Sequence, residues 1–246
     1  DDKKYGEYVP LDTGEEGTDT GDAGDTGDTG DDGPTGPSRL TILHTNDWQS
    51  HMLGWGPNSE YTPDIDGDDT TVGGLARTKT LVDQIRAASV DPVLLYDGGD
   101  WMAGTLFQLL ATSHAGELQM MELLGYDAIC IGNHEFDWGP QVLGQMIAKA
   151  DELGVTVPIL ASNTTPNPDD PGDDALEALF ESGRIQDVRV DILDNGVSVG
   201  LFGLVGDSAA QITPGVAPAA FEEAEVAAAA AVEALVAMDV DIIIAL

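Results

Sequence analysis

From residue 39 onward, short apolar runs alternate with helical stretches, and the runs end in clusters of Asp, Asn and His. The endings are HTND at 44–47, DGGD at 97–100, GNHEFD at 132–137 and ASN at 161–163. Strands alternating with helices of this length specify a layered α/β fold with a parallel sheet. In such sheets functional groups collect beyond the carboxyl ends of the strands. The repeated polar endings therefore place one candidate site at one sheet edge.

The elements read as follows. Strands are expected at 39–45, 93–97, 127–132 and 157–162, and a last buried strand at 239–246. Helices are expected at 73–89, with apolar residues at or near Leu75, Val82, Ile85 and Ala88, at 116–126, stopped by Gly125, and at 140–154. Pro140 sits in the first turn of the last of these and Gly154 lies past its end. Residues 188–206 read as two strands joined by the Asp194-Asn195-Gly196 turn, and 219–238 as one long Ala-rich helix.

Residues 1–38 are of another composition, built from Asp, Thr and Gly with hardly an apolar side chain. Such a segment buries too little surface to offset its ordering entropy, and we read it as a disordered acidic tether that could hold the protein at a membrane or cell surface. Its GDTGDTGD run lacks the spacing and closing Glu of a calcium loop, and so does DIDGDD at 64–69. The segment from Met52, with Trp55 and Tyr61, reads as a long loop shaping the mouth of the site.

Charge narrows the chemistry. The formal net charge is -36, with only nine Lys and Arg. Non-specific nucleic-acid binding is not expected and no nucleic-acid partner is predicted, because phosphate backbones are held by basic surfaces. A phosphate ester would need local positive charge here, and bound metal ions are the natural source. Hydrophobic content of 42% supports a sizeable core. Cys130, the single cysteine, lies in an apolar strand and is expected in that core. No run of about 20 apolar residues predicts a membrane span. The chain opens on Asp1 rather than Met and without a secretory leader pattern, from which we expect a processed N-terminus.

A two-metal hydrolytic site needs oxygen and imidazole ligands from several strand ends, one carboxylate bridging the ions. The candidates are Asp47, Gln49 or His51, Asp100, Asn133 and His134. Each has a plainer reading. Asn133 could cap a helix, and Asp100 could satisfy amides in a Gly-Gly turn. Asp97 is expected to be a turn or supporting residue, His44 a packed or supporting one, and His114 a surface residue before a helix.

HTND, then GGD within GGDWMAGT, then GNHEFD within GYDAICIGNHEFDWG, together with GGLARTKTLV, resemble the calcineurin-like metallophosphoesterases, specifically their 5′-nucleotidase branch. The resemblance runs from Leu40 to Leu246. It implies a metallophosphoesterase-type layered α/β/β/α sandwich, incomplete at the C-terminus. It implies two divalent metal ions, of which Mn, Zn, Fe and Mg all suit mixed oxygen and nitrogen ligands. Asp47 and Gln49 would bind the first ion, Asp100 would bridge both, and Asn133 would bind the second. His134 would act on the phosphoryl group or the leaving oxygen, with Asp137 holding it. The implied reaction is in-line attack by a metal-activated hydroxide on nucleotides or related small phosphate esters, outside the cytoplasm. His51, Asn46 and Asn163 would be supporting or substrate-contacting residues.

Two departures stand out. The family pattern has His where this chain has Gln49. On an extended strand end Asp47, Gln49 and His51 would share a face, with His51 about 7 Å further along, and Gln49 is the preferred ligand. The family also draws His ligands from beyond the last strand seen here, whereas the four histidines are His44, His51, His114 and His134. From this we expect the N-terminal part of a longer enzyme, with a partial metal site and little activity on its own. Alternative functions are hydrolysis of cyclic nucleotides, sugar nucleotides or thiosulfonates, or a non-catalytic, calcium-binding surface module that keeps the fold.

Overall fold

The computed structural model describes residues 39–56, 71–213 and 215–246. The segment 1–38 expected to be a tether, Tyr61 and the DIDGDD stretch lie outside the described residues. In chain order the elements are β1 (Thr41–Thr45), α1 (Leu75–Ala88), β2 (Val93–Asp97), a 3-10 turn at Leu106–Leu110, α2 (Ala111–His114), α3 (Gly116–Leu124) and β3 (Ala128–Cys130). A second 3-10 turn at His134–Phe136 leads to α4 (Pro140–Glu152), β4 (Ile159–Leu160), β5 (Thr164–Thr165), α5 (Asp174–Glu181) and β6 (Ile185–Gln186). Then come β7 (Val188–Ile192), β8 (Ser198–Phe202), α6 (Ala209–Ile212), β9 (Ala220–Phe221), α7 (Ala224–Ala237) and β10 (Ile242–Ala245).

Two main sheets result. The larger is five-stranded and parallel, in the order β1-β2-β3-β4-β6. The smaller has the order β10-β8-β7, with β10 parallel and β7 antiparallel to β8. The β7–β8 connection is the expected hairpin. Leu193 and Val197 pair across it, and Gly196 takes a φ of 82°, the left-handed residue that a three-residue hairpin loop requires.

Side-chain alternation sorts the layers. In the large sheet Leu95, Ile129, Ile159 and Ile185 face a helical layer, where they pack with Val82, Leu118, Leu143 and Leu176. On the other face Leu94, Tyr96, Ala128 and Leu160 meet Val199 and Leu201 of β8 and Ile242 and Ile244 of β10. The outer face of the small sheet, with Phe202 and Ile243, packs on Ala231 and Leu235 of α7. The order helix, sheet, sheet, helix is thus an α/β/β/α sandwich. Gly200 lets α7 settle on the sheet, since a Cβ there would lie 2.8 Å from the Leu235 side chain.

Some local expectations shift. The Ala-rich helix begins at Ala224, not near 219, because Ala220 and Phe221 pair antiparallel with Thr165 and Thr164. The helix α5 and the turn-plus-α2 segment lie in stretches outside the elements expected from the sequence. His44 is exposed rather than packed. It shares a face with Tyr96, but β1 is the edge strand and the smaller sheet does not cover it. Cys130 is fully buried, as expected, and His114 is exposed just before α3. No helix among the described residues is long and apolar enough to cross a membrane.

Candidate metal centre

The register β1–β2–β3 brings the carboxyl ends of these strands to one edge: Thr45 pairs with Asp97, and Asp97 with Ile129. The loops that follow carry the first three polar motifs. Beyond β1 the chain does not stay extended. Asp47, Gln49 and Ser50 take left-handed φ values of 55°, 42° and 56°, and Asp100 and Ala103 do the same at 57° and 69°. These are five of the seven non-glycine residues with such φ among the described residues. Strain of this kind gathers where a function fixes the backbone. It also replaces the period-two alignment expected for Asp47, Gln49 and His51, because these residues lie on a turn.

The first two loops are laced together by the main chain. Gly98 N donates to Thr45 O at 2.9 Å, Asp47 N to Gly99 O at 3.0 Å, Gln49 N to Asp100 O at 2.9 Å and Ser50 N to Trp101 O at 3.0 Å. Beneath them Ser50 Oγ donates to the buried Glu117 at 2.8 Å, and Thr105 Oγ1 to Ser50 O at 2.7 Å. Asp97 is buried and takes the turn role expected of it. It accepts from Gly99 N at 3.0 Å and from Thr45 Oγ1 at 2.6 Å. Burial pushes its carboxyl up to about 7, against those two hydrogen bonds.

The second and third loops meet through side chains. His134 N donates to Asp100 Oδ1 at 2.9 Å. Asp100 thus reaches across to the neighbouring loop, while Asp97 serves the Gly-Gly turn. Gly132 permits the approach, since a Cβ there would fall 2.4 Å from Asp100 Oδ1. Asn133 occupies the position before the 3-10 turn, yet its side chain makes no capping bond. His134 Nδ1 contacts Asp137 Oδ2 at 2.9 Å, both side chains about one-third exposed (37% and 36%). The Asp137 hydrogen bond raises the imidazole pKa, with the Asp137, Asp100 and Asp47 charges adding to it against desolvation. Its Nδ1 is engaged, so Nε2 is the nitrogen presented outward.

Glu135 received no role from sequence reasoning. It is 1% exposed and accepts from three backbone amides: Asp100 N at 3.0 Å, Met102 N at 2.8 Å and Gly132 N at 2.7 Å. Burial pushes its carboxyl up to about 8 despite these bonds. The available signal was an acid placed directly before Phe136, which is also fully buried.

The remaining candidates divide. Asn46 is exposed and its amide donates to the Asp47 carboxylate. Asn163 is buried, and its side chain is engaged by Val205 N and O and by Glu222 O. His51 packs against Trp55 with ring centroids 4.5 Å apart and ring planes tilted by 46°. A cleft of about 410 Å³ opens here, lined by Asp47, Trp48, Gln49, His51, Trp55 and Thr78 among others.

Among the described residues no three His, Cys, Asp or Glu side chains gather as a ligand cluster. The donor set on the adjoining loops is instead mixed, with the carboxylates of Asp47 and Asp100 and the amides of Gln49 and Asn133. All four offer hard oxygen donors, and no Lys or Arg is among the residues that line the cleft beside Asp47 and Gln49. That chemistry fits a divalent cation.

Comparison with known proteins places the fold in a family. The family model for calcineurin-like phosphoesterases matches residues 40–196. The chain is 34% identical over 177 residues to protein UshA of Yersinia enterocolitica, covering 70% of this chain and 26% of that protein. It is 41% identical over 126 residues to the 5′-nucleotidase of Bos taurus, covering 50% of this chain and 20% of the relative. It therefore spans about a quarter or less of the length of these relatives. The solved 5′-nucleotidase precursor of Thermus thermophilus superimposes with a TM-score of 0.65 at 28% identity, over 84% of this chain and 36% of that one. The α/β/β/α layers and the family match over more than half its length lead to one conclusion: the chain belongs to the calcineurin-like phosphoesterase family.

Proposed function

We propose that this protein is a metal-dependent phosphoester hydrolase acting on 5′-nucleotides or related small phosphate esters. The observation that carries this reading is the linkage of three strand ends. The backbone ties Asp47 and Gln49 to the Asp100 loop, and Asp100 accepts the amide of His134. Asp47 and Gln49 would hold one divalent ion, Asp100 would contribute to two, and Asn133 would hold the second. Gln49 is preferred over His51 as donor, since the His51 ring is packed against Trp55. When bound, the ions supply Lewis acidity and lower the pKa of water.

The chain's own residues do the rest. His134, fixed through Nδ1 by Asp137, would direct Nε2 at the phosphoryl group and give a proton to the leaving oxygen. Raising the imidazole pKa favours that donor role. The half-exposed indole of Trp55, braced by His51, offers an apolar face to the leaving group. Asn46 would orient the Asp47 carboxylate. The 5′-nucleotidases among the relatives suggest the nucleotide class of substrate. The acidic segment 1–38 suits a tether outside the cytoplasm.

The test is metal analysis of the protein together with hydrolysis of a 5′-nucleotide, comparing wild type with His134→Ala. We expect bound divalent metal in both, and hydrolysis reduced on the order of 10²- to 10⁴-fold in the variant. Undiminished hydrolysis would remove His134 from the mechanism.

A further inference from the structure

We infer that Glu135 is a positioning residue, whose buried carboxyl group locks the 98–104 loop to the 132–137 loop so that Asp100 and Asn133 keep the spacing a shared divalent ion requires. The inference rests on the metal reading above and extends it to a side chain that never meets the ion or the substrate.

Three observations carry it. First, the donors to Glu135 come from two loops distant in sequence: Asp100 N and Met102 N from one, Gly132 N from the other. One side chain therefore spans a junction that strand pairing does not reach, since β2 ends at Asp97 and β3 at Cys130. Second, the bonded amides lie in a backbone that is otherwise strained, with Asp100 and Ala103 at left-handed φ. A buried amide without a partner would let that segment relax into another conformation. Third, the junction has no slack. Gly132 is pressed against Asp100, where a Cβ would lie 2.5 Å from its backbone N. Sliding one loop past the other would separate Asp100 from Asn133. At 1% exposure Glu135 is sealed from solvent, so its influence must pass through the residues that it holds.

Glu135→Gln keeps the size but turns one acceptor into a donor that faces backbone N–H groups. Glu135→Asp keeps the carboxyl group and withdraws it by one methylene. Binding of Mn²⁺ is measured by loss of the free-ion electron paramagnetic resonance signal on titration with protein. Thermal unfolding of the metal-free protein is recorded in parallel. Supporting residues around metal ligands change affinity on the order of 10- to 100-fold, and that weakening is expected for Glu135→Gln, with Glu135→Asp in between. Leu176→Ala, a buried core change on α5, controls for stability alone: it lowers the unfolding temperature and leaves Mn²⁺ affinity unchanged.

Wild type that binds Mn²⁺, with a Gln variant that binds it equally well, overturns the role of Glu135 and leaves the metal reading standing. Wild type that binds no Mn²⁺ overturns both. Equal weakening by Leu176→Ala also overturns the positioning role, because general destabilisation would then suffice. Where Glu135→Gln does not fold, Glu135→Asp decides: wild-type affinity refutes the inference and weakened affinity supports it.

Discussion

The two halves of the candidate site are held in different ways. The Asp100–Asn133 half is braced from inside, by the buried Glu135 carboxyl group and by Gly132 pressed against Asp100. The Asp47–Gln49 half is hung on it from outside, by backbone bonds to Gly99, Asp100 and Trp101 and by the Ser50–Glu117 contact. Asp47 and Asn46 are exposed, whereas Glu135 and Phe136 are sealed. The difference teaches a hierarchy. A disturbance of the inner half should reach the outer one, because the outer half takes its geometry from residues 99–101. A disturbance of the outer half should stay local.

The largest expected effect is a break of the inner half. Gly132→Ala forces a methyl group into the space of Asp100 Oδ1. Overpacking of this kind costs about 1–3 kcal/mol, and the upper end is expected where the neighbour is a backbone amide. Denaturant unfolding reads the cost, and hydrolysis should fall with it because both halves shift. Near wild-type stability and activity would show that the two loops have room to separate, which removes the basis of the hierarchy.

A break of the outer half should be smaller and confined. Ser50→Ala deprives the buried Glu117 of its side-chain partner, a loss of about 1–3 kcal/mol, toward the lower end because Ala tolerates the new volume well. Amide hydrogen exchange should quicken at 47–51 and remain slow at Gly132 and His134. Faster exchange in both loops would mean that the halves depend on each other equally.

The smallest effect sharpens the same contrast through pH. Burial raises the Glu117 carboxyl above its ordinary range, although the Ser50 hydroxyl opposes this. The native state then holds that proton more tightly than the unfolded chain does. Its contribution to stability is complete below the unfolded pKa and is lost as pH rises through the folded one. Glu117→Gln removes the loss, so the variant should match wild type in acid and gain on it toward neutral pH. The gain should be the smallest of the three effects, because it draws on a single proton equilibrium and leaves the packing in place. Unfolding curves at several pH values measure it, and a difference independent of pH would contradict the assignment.

Legibility in the sequence follows the range of the forces involved. Strands such as VLLYD and the helix with Pro140 at its start and Gly154 beyond its end are signalled by neighbours a few residues away. The hairpin at Asp194-Asn195-Gly196 is signalled by the turn itself. The helix α5 is short, and it sits amid Pro, Gly and Asp that read as loop. What sustains it is burial of Leu176 and Leu179 on the large core, together with the Gly144 contact on α4, where a Cβ would lie 2.4 Å from the Ala175 carbonyl carbon. The β5–β9 pairing joins segments more than fifty residues apart and took the start of the Ala-rich helix with it. No local pattern announces such a pair.

The sequence by itself determined the layered α/β class and the edge at which HTND, DGGD and GNHEFD gather. Both follow from periodicity and from the rule that parallel strands end together. It also named Asp47, Gln49, Asp100, Asn133, His134 and Asp137 as candidates. Only the tertiary structure decided how they are held. The left-handed turn replaced the extended face drawn through Asp47, Gln49 and His51, and His51 packs against Trp55. Glu135 emerged as the brace between two loops, and the Asn163 side chain is taken up by three backbone groups. These are outcomes of long-range hydrogen bonding and exclusion of water. A buried acid and an exposed one are spelled alike in sequence, and only the fold separates them.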